Sequence, residues 1–214
     1  MMESKRMGTV SRIVDLSVPL CDGQEGFRAS LRPEPPVYLG HDCYAYDLTI
    51  PSHTGTYFET SSHVFRDGKN TETFPIDKLM APGLCLTPLT RERCITGAAL
   101  DACVPSSARG TLSGCGLLVR AASHDIGVHS YFSRDAAVWM RDVGVSFMGS
   151  DTPRYDTGFE SPTGFFVELF AAGIPIIANI ANLDRLPAEG FTLFALPLAV
   201  TGVCTVPCRV IAVL

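Results

Sequence analysis

Between residues 53 and 63 the chain reads His53-Thr54-Gly55-Thr56-Tyr57-Phe58-Glu59-Thr60-Ser61-Ser62-His63. Two imidazoles, a carboxylate and a phenol around one glycine form a set that can move protons. Histidine titrates near neutrality and serves as acid or base there. Tyr57 can donate a hydrogen bond to a carbonyl or enolate oxygen. Glu59 can orient an imidazole, or remove a proton itself where burial raises its pKa. His53, Tyr57, Glu59 and His63 share one parity, so an extended backbone points all four to one face. A straight strand would spread the outer pair over about 33 Å. They meet in one pocket only if the chain bends, and Gly55 is the residue that permits a bend.

The elements that must position these groups are read from pattern. Arg12–Ser17 alternates as an opening strand, and Tyr44–Ile50 alternates again and leads into the His53 stretch, with Pro51 ending it. The proline- and glycine-rich region Gly23–Gly40 reads as irregular loop. Thr96–Cys103 is a short helix capped by Thr96, and Ser133–Val143 is an amphipathic helix capped by Ser133 with Ala136, Val138, Trp139 and Val143 on one side. Phe165–Ala172 is a third helix, closing on Gly173. Gly116–Arg120, Gly144–Ser150, Ile174–Ile177, Phe191–Val200 and Val206–Val213 read as strands, the fourth of them interrupted by Pro197. Several strands and about three helices give an α+β, or mixed α/β, domain over residues 1–214, with no repeat or linker to divide it.

Composition narrows the function classes. With 214 residues, 46% hydrophobic and 18% charged, the chain can bury one substantial core. A formal net charge of −5 and the absence of a basic run argue against a nucleic-acid partner. No apolar run is long enough to span a bilayer. Met1 to Arg12 lacks the apolar segment of a secretory signal, which points to the cytoplasm. The eight cysteines are scattered without a CxxC pair, so they read as buried free thiols, Cys204 and Cys208 included. No phosphate-binding glycine loop is present, and no nucleotide is expected. His41, His124, Asp125 and His129 read as surface-loop residues, Met140 and Trp139 as core, and Asp151 as a turn residue bonded to its own backbone.

The chain resembles the cyclase family that includes bacterial kynurenine formamidase, isatin hydrolase and certain polyketide cyclases. That family's motif, His-x-Gly-Thr-His-x-Asp-x-Pro-x-His, survives as His53, Gly55, Thr56 and His63, while the inner positions are Tyr57, Glu59 and Ser61. The likeness continues through Gly149-Ser150-Asp151-Thr152-Pro153, Gly173-Ile174-Pro175-Ile176-Ile177, Asn179-Ile180-Ala181-Asn182-Leu183-Asp184 and Ala195-Leu196-Pro197-Leu198, and ends at Pro207-Cys208-Arg209. It implies the family's single-domain β/β/α swivelling fold, a small-molecule substrate, and a homodimer or homotetramer to which the arm Leu31–Leu39 contributes.

In that family the motif's first His, second His and Asp hold a catalytic metal, a later His and Glu complete a second position, and the last His is the acid or base. By position these fall on His53, Tyr57 and Glu59, on Phe166 and Ala178, and on His63. Only one of the five metal-binding positions keeps its family residue. The leading expectation is therefore a metal-independent cyclase of secondary metabolism with no cofactor. His63, His53, Glu59 and Tyr57 would catalyse ring closure or dehydration of an aromatic or polyketide-like substrate held by Phe166, Ala178, Phe58 and Tyr155. Two alternatives stand beside it: a hydrolase of a small cyclic amide, arylformamide or lactone whose metal site is rebuilt from His53, Glu59 and His63, and a non-catalytic paralogue acting as a binding subunit.

Overall fold

In the computed structural model, residues 12–33, 43–88, 93–121, 129–158 and 160–214 are described. Among them the strands are β1 (Ile13–Asp15), β2 (Arg28–Pro33), β3 (Tyr44–Thr49), β4 (Tyr57–Glu59), β5 (Met80–Leu86), β6 (Cys94–Ile95), β7 (Gly116–Val119), β8 (Tyr131–Phe132), β9 (Phe147–Ser150), β10 (Ile176–Ala178), β11 (Phe191–Pro197) and β12 (Thr205–Val213). The helices are α1 (Gly97–Cys103), α2 (Arg134–Val143) and α3 (Phe165–Ala171).

The main sheet runs β1-β12-β11-β5-β7-β9-β10-β4, and β12 also pairs with β4. That last pairing closes seven strands into a barrel, with β1 added along the far half of β12. Alternation along each strand then sorts side chains into two cores. Phe58, Cys85, Leu118, Phe147, Ile177, Leu193, Val210 and Ala212 fill the barrel. Leu84, Leu117, Val119, Met148, Ile176 and Ala178 point outward under the helices, where Leu100, Met140, Phe165 and Leu169 cover them. The mixed α+β class read from the sequence is the class observed.

The helices start where the sequence placed them, with one difference in detail. Thr96 Oγ1 accepts from Ala99 N at 3.1 Å, a standard cap. Ser133 occupies the cap position of α2, but its hydroxyl donates to Ile95 O at 3.2 Å, tying the helix to β6. On α2 the fully buried residues are Ala136, Ala137 and Met140, with Trp139 and Val143 packed partly against them. Val138, expected on that face, is only half-buried and lies outside the packed cluster.

Several strands went unread, β2 and β5 the longest of them. Arg28–Pro33, inside the region expected to be irregular, pairs with β3 from Arg28↔Thr49 to Pro33↔Tyr44. Met80–Leu86 is a central strand despite Pro82 and Gly83. Pro82 is tolerated because β7 joins only from Gly83 onward, leaving β11 as the neighbour of residue 82. Gly83 is required by contact, since a Cβ there would lie 2.0 Å from the Phe191 ring. The eight cysteines form no disulfide, but only Cys85, Cys115 and Cys208 are buried, which corrects the expectation for the rest. Asp151 Oδ1 accepts from Ala121 N at 2.7 Å, a structural role. His129 is exposed, while His41, His124 and Asp125 lie outside the described residues. No helix among the described residues is long and apolar enough to cross a membrane.

Candidate functional site

The predicted bend exists and does what the residue types need. Gly55 has φ +64, a region that favours glycine. The turn it makes is held from three sides. Gly55 N donates to Glu25 Oε2 at 2.8 Å, Asn179 Nδ2 donates to Gly55 O at 3.0 Å, and Thr56 Oγ1 donates to Asn179 O at 2.6 Å while accepting from Val18 N at 2.9 Å. Asn179 itself adopts φ +55 to reach both partners. The chain then enters β4, and after Thr60 it turns again into a short 3-10 segment, Ser61–His63. The two turns fold the ends of the motif onto the middle: the His53 and His63 ring centroids are 5.3 Å apart.

Glu59 lies between them. Its Oε1 sits 2.9 Å from His63 Nδ1 and 3.3 Å from His53 Nε2. The carboxylate side chain is only 4% exposed, whereas the imidazoles are 44% and 39% exposed, so the cluster opens to the surface from a buried floor. Ser52 Oγ meets His53 Nδ1 at 2.9 Å, which fixes the ring so that Nε2 faces Glu59. Tyr57, the next outward residue of β4, packs edge-on to His53 with centroids 5.1 Å apart.

Electrostatics follow from the contacts. The hydrogen bond from His63 to Glu59 pushes the His63 pKa up to about 9, against the opposing effect of partial burial. Burial alone would raise the Glu59 carboxyl, but the hydrogen bonds from His53 and His63 prevail and hold it below the usual carboxylate range. Burial, reinforced by the charges of Glu59 and Glu25, raises the Tyr57 phenol to about 12. At neutral pH the site therefore pairs a buried carboxylate with a protonated His63 beside a protonated phenol.

The four residues proposed for the lining divide. Phe166 is half-buried beside Tyr155, with centroids 6.1 Å apart, and leads into a run of rings through Phe165 and Phe170. Ala178 pairs directly across from Tyr57 but is 1% exposed, so the small side chain creates no extra room. Tyr155 is buried, its hydroxyl donating to Ile177 O at 2.8 Å, and it backs Phe166 rather than facing solvent. Phe58 is a correction: lying between Tyr57 and Glu59 it points the other way, into the barrel, where it packs on Phe74.

Residues that reasoning from sequence missed support the site from outside the motif. Glu25 and Asn179 hold the Gly55 turn, and Cys204 Sγ lies 3.9 Å from His63 Nδ1. None of them is near the motif in sequence, and no spacing rule reveals a neighbour across a barrel seam.

The donor set decides what ion the site could accept. The ligand atoms of His53, Glu59 and His63 all lie within 4.8 Å of one another. Bonds of about 2.0–2.1 Å to nitrogen and oxygen imply tetrahedral edges of roughly 3.3 Å, close to the two distances measured to Glu59. The three residues could therefore hold one divalent ion as a two-His-one-carboxylate centre once their donors, spread over up to 4.8 Å, draw together around it. A second ion has no such set, because Phe166 and Ala178 offer no donor and aromatic rings occupy that side.

Comparison with known proteins agrees with this architecture. Residues 14–157 match the Cyclase family, described as putative cyclase. Kynurenine formamidase from Bacillus mycoides is 28% identical over 171 residues, covering 77% of each chain, and that from Salinibacter ruber is 24% identical over 164 residues at the same coverage. Isatin hydrolase A from Labrenzia aggregata, bound to benzyl benzoate, superposes with TM-score 0.76 at 21% identity, covering 95% of this chain and 94% of that one. A structure described as a potential metal-dependent hydrolase with cyclase activity superposes with TM-score 0.71 at 20% identity, covering 95% and 98%.

Proposed function

Because the chain belongs to the cyclase family, we propose that it is a hydrolase of small aromatic amides or esters, cyclic ones included, built around one divalent ion held by His53, Glu59 and His63. The observation that carries this reading is the convergence of three donors on one point at an open surface. It is placed ahead of metal-independent ring closure because the folded chain gathers His53, Glu59 and His63, which supports a metal-holding reading. The similarity to kynurenine formamidases and the fold shared with an isatin hydrolase support a carbonyl substrate carrying a ring.

A divalent ion at this point supplies Lewis acidity toward a carbonyl and toward water. The chain's own groups do the rest. Ser52 holds the His53 tautomer, leaving Nε2 toward the centre. Glu59, buried and charged, supplies the negative charge that offsets the cost of bringing a cation to the site. The Tyr57 phenol stays protonated up to about 12 and is placed beside His53, where it can donate to a carbonyl oxygen as charge builds there. The exposed edge of Phe166 offers a stacking surface for the substrate's ring.

A second reading keeps the ion out. The His63–Glu59 pair at 2.9 Å keeps an imidazolium at neutral pH, which suits acid-catalysed closure or dehydration of a polyketide-like substrate in secondary metabolism. The non-catalytic alternative has less support, since the imidazoles are open rather than covered by neighbours. Assembly as a homodimer or homotetramer is supported by the β2–β3 ribbon. It pairs only with itself among the described strands and exposes Leu31, Tyr44, Tyr46 and Leu48.

The test is turnover of aryl formamides, isatin-type lactams and aryl lactones by metal-loaded protein, chelated protein and Glu59→Gln. Hydrolysis that chelation abolishes, and that Glu59→Gln lowers by about 100-fold or more, supports the reading. Hydrolysis unaffected by either overturns it.

A further inference from the structure

Cys204 sits against the cluster just described without a part in it. We infer that Cys204 is a fourth donor to the same centre, making it a two-His, one-carboxylate, one-thiolate site selective for a borderline-soft ion such as zinc, with water or substrate entering as a fifth ligand. The inference rests on the metal-holding reading above and specifies which ion that site takes.

Position comes first. β12 pairs with β4 in the register Thr205↔Glu59, which brings Cys204, just ahead of β12, beside Thr60. Thr60 donates twice to Cys204 O, from N and from Oγ1, each at 3.0 Å. Thr60 is fully buried, so the clamp fixes the cysteine's backbone next to the carboxylate. The side chain is aimed as well. Its Sγ lies 3.9 Å from His63 Nδ1 and accepts from the hydroxyl of buried Thr205 at 3.5 Å. A zinc–sulfur bond of about 2.3 Å and a zinc–nitrogen bond of about 2.05 Å imply a tetrahedral S···N edge of roughly 3.6 Å. The observed separation of 3.9 Å from His63 is close to that edge.

Chemistry gives the selectivity. Thiolate favours zinc and similar ions over magnesium, calcium and manganese, which prefer oxygen. On binding, the S–H bond breaks, its proton goes to solvent, and a metal–sulfur bond forms. The hydroxyl of Thr205, already donating to the sulfur, then stabilises the thiolate as an outer partner.

Metal-free protein titrated with Co2+ tests this directly. The readouts are visible d–d absorption, which reports any bound cobalt, and the near-ultraviolet charge-transfer band that only a thiolate ligand produces. Wild type and Cys208→Ser, whose thiol is buried away from the site, should show both. Cys204→Ser should keep the d–d bands, lose the thiolate band and bind cobalt about 10–100-fold more weakly. If that variant does not fold, alkylation of wild type with peptide mapping answers the same question: Cys204 should react in the metal-free protein and be protected by zinc. Cobalt uptake without a thiolate band, a band that survives Cys204→Ser, or alkylation of Cys204 unchanged by zinc overturns the inference alone. No cobalt uptake by wild type overturns it together with the reading it rests on.

Discussion

Replacing Glu59 by glutamine keeps the size of a buried side chain and removes its charge. In the metal-free protein the Glu59 hydrogen bond is the largest cause of the elevated His63 pKa, about 9 against an ordinary value near 6.5. Partial burial pulls His63 the other way and Cys204 adds a smaller upward push. In Glu59→Gln the histidine should therefore return to the neighbourhood of 6.5. At pH 7.5 that takes His63 from about 97% charged to about 9% charged, a change large enough to read without ambiguity. Side-chain NMR of histidine-labelled, chelator-treated protein follows it, with His63→Asn assigning the resonance among five histidines. Wild-type His63 titrating near 6.5, or a value that stays near 9 in Glu59→Gln, would refute the pairing from which the site is built.

Further outcomes follow from the same contacts. Metal uptake at pH 7.5 should release at least about one proton per chain, because His63 must give up the proton on Nδ1; isothermal titration in buffers of different ionisation enthalpy counts it, and affinity should rise about tenfold per unit until pH 9. The raised His63 pKa also sets a stability trend for the metal-free protein. Its contribution is complete below about 6.5 and is lost as pH rises through 9; discounted for the exposed imidazole it is about 1 kcal/mol, or about 2–4 °C in thermal melts, and it should vanish in Glu59→Gln. Gly55→Ala places a methyl 2.6 Å from Leu20 Cδ2 at φ +64, so denaturant unfolding should show a loss of about 2–3 kcal/mol together with weakened metal binding. Charged substitutions at Tyr44 and Leu48 on the exposed ribbon should shift light-scattering mass toward the monomer while leaving the far-ultraviolet spectrum unchanged.

What the sequence disclosed about the site was its membership and its hinge. Shared parity grouped His53, Tyr57, Glu59 and His63, and a single glycine located the bend that brings the outer pair together. The same alternation, applied one residue further, excludes Phe58 from that face. Carrying the family's ligand positions across one by one put a metal-free site first and left His53, Glu59 and His63 as an alternative donor set, which the fold brings together. Ligand count survives when His63, the family's acid or base, can turn inward through a 3-10 turn to share Glu59 with His53. Ala178, read as part of the lining, is covered in the core it shares with Tyr155 and Phe170, because the fold brings neighbours over it that the linear chain does not show. In the fold, proline and glycine hid β5, since Pro82 and Gly83 look like a turn until β11 and the Phe191 ring are in place. Cys204 was passed over for a related reason: its spacing to Cys208 carries no message, whereas its seat across the seam from Thr60 does.

The most direct measurement is the metal content of protein purified without chelator, by elemental mass spectrometry, for wild type, His53→Ala and Glu59→Gln. The account predicts about one divalent ion per wild-type chain and its loss in both variants. Wild-type protein that carries no ion and takes none up when dialysed against zinc would contradict it.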